Sequence, residues 1–181
     1  FCCLETGLVR AKNSINVAIK NLVDFGISAV AFGLVGAMVA FGESWGEILG
    51  ATMPSLDDPR QMTLFLFQLM FCGTATTIVS GAVAERMRFS AVVIFSAAWL
   101  LLVYAPICHW VWGGGWLSDL GVKDFAGGIV VHITAGVAAL VAAIVLGNRR
   151  GFPEQAMPPH NMPLAIMGAG MLWVGWFGFN G

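Results

Sequence analysis

Five long, nearly uncharged apolar runs separated by short charged loops constrain this chain more than any other feature. They lie at about 13–42 (uninterrupted from Phe25 to Phe41), 61–84, 89–112, 125–147 and 161–181. A membrane-crossing helix needs about 20 mainly apolar residues, whereas membrane strands need alternating segments of about 10. These runs are too long for strands and do not alternate, so the expected fold is an all-α polytopic transmembrane bundle. Residues 1–9 carry no basic n-region and no small-residue cleavage site, unlike a signal peptide. They read as the tail of a membrane helix that begins upstream, and both ends of the chain read as cut.

Composition excludes the other classes. Only 10% of residues are charged and 58% are apolar, against about 25% charged in an ordinary soluble domain. Such a chain cannot clothe a water-facing surface. The formal charge of −1 offers no basic field for nucleic acid. Cys2, Cys3, Cys72 and Cys108 show no metal-ligand spacing and read as small core fillers. No HExxH, GxSxG or paired-carboxylate pattern occurs, so neither a cofactor nor an enzymatic activity is expected.

Charge sets the orientation. One set of loops holds Arg10, Lys12, Arg86, Arg88, Arg149 and Arg150. The alternate loops hold only Arg60 and Lys123 as basic residues, beside Glu43, Glu47, Asp57, Asp58, Asp119 and Asp124. The positive-inside rule makes the first set cytoplasmic and the acidic set external. The strict alternation also supports the span count. Glycines recur throughout the spans and predict close helix packing.

Ionisable groups in hydrocarbon cost at least ~2.5 kcal/mol, so each one needs a reason. Lys20 and Asp24, four apart on the first full span, read as a structural pair on one helix face. His132 lies deeper and has no carboxylate within four residues. Asp124, Gly128, His132 and Gly136 recur at helical spacing, which predicts an acid, a groove and an imidazole on one face. His132 therefore reads either as a hydrogen-bonded core histidine or as a pore lining. His109 and His160 read as structural, with Asn161 as a helix N-cap.

Aromatic residues form a second constellation. Phe67 and Phe71 are one turn apart, and Trp110, Trp112 and Trp116 surround the triplet Gly113-Gly114-Gly115. The tryptophans fit an interfacial belt, or a cage for a small cation, where cation–π attraction reaches ~2 kcal/mol. The last run holds Trp173, Trp176, Phe177 and Phe179 among glycines, a pattern that core packing alone accommodates.

The strings LETGLVRAKN (4–13), VSGAVAERMRFSA (79–91), HWVWGGGWL (109–117), DFAGGIVVH (124–132) and GWFGFNG (175–181) resemble the ammonium transporter family. The Trp of the VWGGG string resembles the ammonium transporter branch rather than the Rh proteins. The resemblance runs nearly the whole chain, in order. It implies one half of an eleven-helix, inverted-repeat fold, from the end of helix 1 to helix 6, as a single partial transmembrane domain (1–181) that forms a homotrimer in the cell membrane when full length. It implies an outer recruitment site with Trp112 as its aromatic wall and Asp124 as its supporting carboxylate. Phe71 and Phe179 would form a phenyl gate supported by Phe67, and His132 would be the first of two pore histidines, with Gly128 and Gly136 beside it. The implied activity is passage of ammonium or ammonia across the bilayer, with deprotonation near His132. The alternative within the resemblance is an ammonium sensor with a signalling domain appended after the last helix.

Overall fold

The structure, a computed structural model, describes residues 1–180. Gly181, the end of the fifth run and of the GWFGFNG string, lies outside the described residues. A short helix α1 (Cys2–Leu8) precedes five helices of membrane-spanning length. These are α2 (Ala11–Phe41), α3 (Pro59–Val83), α4 (Phe89–Asp119), α5 (Gly128–Leu146) and α6 (Met162–Asn180). A two-stranded antiparallel hairpin, β1 (Ser44–Trp45) and β2 (Leu49–Gly50), follows α2. The chain is thus a helical membrane protein, with span limits close to those expected.

Local chemistry fixes the helix ends. Asp58 caps α3 by accepting the Arg60 amide at 3.1 Å, with Pro59 opening the helix. Asn161 caps α6 by accepting the Leu164 amide at 2.9 Å, as its position predicts. Three spans contain π-wound segments: Phe32–Gly36, Leu100–Tyr104 and Gly128–Ile133. Such segments are rare and cluster at functional sites.

Glycine sets the close crossing of α1 and α6. A Cβ at Gly7 would sit 2.6 Å from the Ala165 amide nitrogen, and one at Gly168 would strike the Leu4 backbone. Only glycine lets α1 and α6 lie backbone against backbone, the membrane substitute for a hydrophobic drive. The core beneath is centred on Phe32, Phe71, Cys72, Leu100, Tyr104, Cys108, Val130 and Val131. Cys72 and Cys108 are core fillers as expected, and all four thiols are free.

The basic loops converge at one end. Glu85 accepts the Arg10 amide at 2.8 Å and Arg10 Nε at 2.9 Å, and Arg149 lies 3.5 Å away. Burial alone would raise the Glu85 carboxyl. The Arg10 side-chain and backbone donors outweigh it and hold the group down at about 2.

The expected Lys20–Asp24 pair does not form. Lys20 Nζ instead donates to the Met87 carbonyl at 2.7 Å, and Asp24 accepts the Ser96 hydroxyl at 2.9 Å. Spacing of four puts both on one face, but α4 and the loop before it supply closer partners. Two further polar bonds lie beside them: Asn21 donates to Glu5 at 2.9 Å, and Ser28 donates to Thr76 at 2.9 Å.

Candidate functional site

Four helices bring side chains to one aromatic column. On α3, Phe67 and Phe71 have ring centroids 4.6 Å apart. Phe71 meets the Trp112 indole of α4 edge-on at 5.6 Å and stacks on Phe179 of α6 at 4.2 Å. Phe179 stacks in turn on Trp176 at 4.7 Å. His132 of α5 closes the series, 5.8 Å from Phe179 and 6.2 Å from Trp176. The sequence alone leaves Trp176 to core packing. Its spacing of three from Phe179 would have shown the shared face.

Asp124 organises this column without lining a helical stripe. Its Oδ1 accepts the Gly127 and Gly128 amides at 2.8 Å, and its Oδ2 accepts those of Ile129 and Val130 at 2.8 and 2.9 Å. A carboxylate has about four acceptor positions, so these amides occupy its capacity. Its main-chain carbonyl accepts the Trp112 indole N–H at 2.6 Å. One residue thus caps α5 and fixes the indole.

The expected face through Asp124, Gly128, His132 and Gly136 needs correcting. Asp124 precedes the helix, and the first turns are π-wound, with the His132 amide bonded to Gly127 O at 2.9 Å. The wider π turn rotates His132 away from the line that regular helical spacing gives. The turn itself requires glycine. Gly127 has φ +81°, and a Cβ there would lie 2.8 Å from Val131 Cγ2 and 3.5 Å from Phe71 Cδ1.

Gly128 and Gly136 behave differently. A Cβ at Gly136 meets nothing within 4 Å, and at Gly128 only Asp124 Oδ1 at 3.8 Å. They leave an open face beside His132, whose ring is exposed. Among the described residues its ring nitrogens have no hydrogen-bond partner.

The other histidines are structural. His109 is fully buried, with Nδ1 3.1 Å from the Ala40 carbonyl and Nε2 3.0 Å from the Ser44 hydroxyl. The carbonyl can only accept, so Nδ1 donates to it. His160 Nδ1 lies 3.2 Å from the Val9 carbonyl.

The tryptophans divide by partner. Trp110 donates to the Ile48 carbonyl at 2.9 Å, and its ring lies 5.8 Å from Trp116. Both belong to the seam where the hairpin docks. The glycine triplet serves the same seam: Gly114 has φ +79°, and a Cβ at Gly115 would lie 2.8 Å from the Glu47 carbonyl. Of Trp110, Trp112 and Trp116, only Trp112 turns to the column. Among the described residues, no group of three or more candidate ligands gathers to hold a metal ion.

The fold and site define a polytopic helical membrane protein whose helices converge on an aromatic column beside the His132 imidazole. The chain belongs to the Ammonium Transporter Family, whose family model matches residues 1–181. It is 42% identical over 178 residues to the ammonium transporter Amt1 of Archaeoglobus fulgidus, covering 97% of this chain and 46% of that protein. An ammonium transporter of Bacillus subtilis is 44% identical over 185 residues, covering 96% and 45%. Among solved structures, Sensor Amt Protein superposes with TM-score 0.91 at 39% identity, covering 99% of this chain and 49% of that one. Candida albicans Mep2 superposes with TM-score 0.84 at 33% identity, covering 98% and 43%. The chain therefore spans about half the length of the relatives it matches.

Proposed function

We propose that these residues form one half of an ammonium transport path, completed by chain beyond residue 181 and assembled as a trimer in the cell membrane. The carrying observation is the unbroken contact series Trp112–Phe71–Phe179–His132, with centroid spacings of 5.6, 4.2 and 5.8 Å.

Physics requires the cargo to change form along such a path. A bare cation in hydrocarbon pays a desolvation cost that no apolar lining returns. Ammonium differs from an alkali ion in holding a proton it can give up. The external aromatic face of Trp112 attracts the cation, worth ~2 kcal/mol once desolvated. Asp124 is a positioning residue here, because its oxygens are engaged by amides and its carbonyl orients the indole. Beyond Phe71 and Phe179 the cargo moves as neutral ammonia. His132, whose ring nitrogens have no partner among the described residues, accepts a hydrogen bond from it, donates one to it or relays the proton.

The likeness to Sensor Amt Protein, at TM-score 0.91, favours a second reading: the same outer site reports ammonium instead of conducting it. An ammonium pulse on full-length protein reconstituted in liposomes separates the two. Transport gives an evoked current or a luminal pH change that a potassium pulse does not. Saturable ammonium binding with neither signal supports the sensor reading and overturns the transport reading.

A further inference from the structure

A second polar set lies away from the column, where α2 packs against α1, α3 and α4. It gathers two carboxylates, Glu5 and Asp24, and one cation, Lys20, with Asn21, Ser80 and Ser96 as neutral members. Lys20 is drawn off to the Met87 carbonyl, so among the described residues neither carboxylate is ion-paired. Ser80 donates to Glu5 Oε2 at 3.4 Å, and Ser96 donates to Asp24 Oδ1 at 2.9 Å. Two oxygens are left with no hydrogen-bond partner among the described residues: Asn21 Oδ1 and Asp24 Oδ2. These residues are only 5% and 1% exposed, and their spacing of three puts them on one face of α2. Turning the Asn21 amide over gives no relief, because its Nδ2 already meets Glu5 Oε2 at 2.9 Å and the Val17 carbonyl at 3.1 Å.

A buried acceptor without a donor carries its full desolvation cost. Both oxygens are sealed by this chain's own helices, so whatever satisfies them is small and donates hydrogen bonds. It is also positive: Glu5 and Asp24 against Lys20 leave one uncompensated negative charge, which apolar surroundings penalise heavily. A metal ion suits the set poorly, since no group of three or more candidate ligands gathers among the described residues. We propose that Asn21 Oδ1 and Asp24 Oδ2 bind one ammonium ion at a site separate from the aromatic column, the identity of the ion resting on the reading above. Ammonium is the size of a water molecule and has N–H donors on every side. A cavity of about 340 Å³, lined by Phe25, Met70 and Thr74 among others, reaches Asn21 and gives the ion a way in.

A ligand that binds only the folded state stabilises it with occupancy, and the test uses that link. Purified full-length Trp112→Ala, which lacks the indole of the column, is titrated in detergent with ammonium, potassium or sodium chloride at constant ionic strength. Ammonium raises the melting midpoint saturably and the metal salts do not. Adding Asp24→Asn, which keeps an oxygen for Ser96 but removes the charge, abolishes the rise relative to that variant's own ammonium-free midpoint. Adding Lys20→Met instead removes a like charge and lowers the half-saturating ammonium concentration about tenfold, the order by which a neighbouring charge shifts a proton affinity. A rise that survives Asp24→Asn overturns the proposal, and an equal response to potassium overturns the choice of ammonium. No response to any salt, with a protonated-carboxyl infrared band that Asp24→Asn removes, overturns it in favour of a bound proton. Evoked current is a separate readout: if it is absent while the rise persists, the transport reading fails and this site stands.

Discussion

Two histidines sit within apolar spans of one small bundle, and their surroundings differ in every respect. His109 is walled in, with both ring nitrogens bonded and Gly113 pressed against it. His132 has an exposed ring among aromatic faces, and its neighbour Gly136 opens on empty space. Burial of an imidazole demands partners. The described residues supply them at His109 and supply none at His132. A polar ring left unpaired beside an open groove is available to a small polar cargo, which is why the second site carries the proposed function and the first does not.

Removing the glycine that lets α4 bend over His109 is expected to have the largest structural effect. A Cβ at Gly113 would lie 2.6 Å from His109 Nδ1 and collide with the Ala40 carbonyl. Gly113→Ala should cost about 3 kcal/mol, measured by unfolding in mixed micelles. Next, His109→Ala strips two hydrogen bonds and opens a cavity, for a loss of about 2–3 kcal/mol. If either variant unfolds like wild type, the enclosed site is not the rigid one.

The open site should give the opposite pattern. His132→Ala and Gly136→Ala should leave stability within about 0.5 kcal/mol while lowering ammonium flux. A large stability loss at these positions would erase the contrast between the two histidines. The smallest effect at neutral pH comes from the Glu85 cluster. Its carboxyl titrates near 4.5 when unpaired but at about 2 in the folded protein, so its stabilisation is complete above 4.5 and fades as pH falls toward 2. Hydrogen exchange of the 10–13 and 84–88 backbones should quicken over that window, and in Glu85→Gln it should be fast already at neutral pH.

Much of this was readable from the chain. Twenty-residue apolar runs and alternating loop charge gave spans that differ from the structure by a few residues. The exception is the third, where expectation stopped at 112 and the helix, after a break, reaches Asp119. Trp112, Phe71, Phe179 and His132 could be singled out by motif, and they do meet. What stayed hidden was non-local or irregular. Spacing of four put Lys20 and Asp24 on one face, yet nothing in it announces that Met87 and Ser96 would take them separately. Regular helical spacing puts Asp124 on one stripe with His132, and the sequence does not advertise the π-wound start that breaks that stripe. Trp176 reads as core packing because a glycine-rich aromatic run equally suits it.

The most direct test substitutes the open imidazole with a charge. In full-length protein reconstituted in liposomes, ammonium- and potassium-evoked currents are compared for wild type and His132→Asp. A carboxylate at that depth would stabilise a cation where the proposed path passes only the neutral species, so the potassium current should rise relative to ammonium. Currents and ion preference both unchanged would remove His132 from the path and contradict the account.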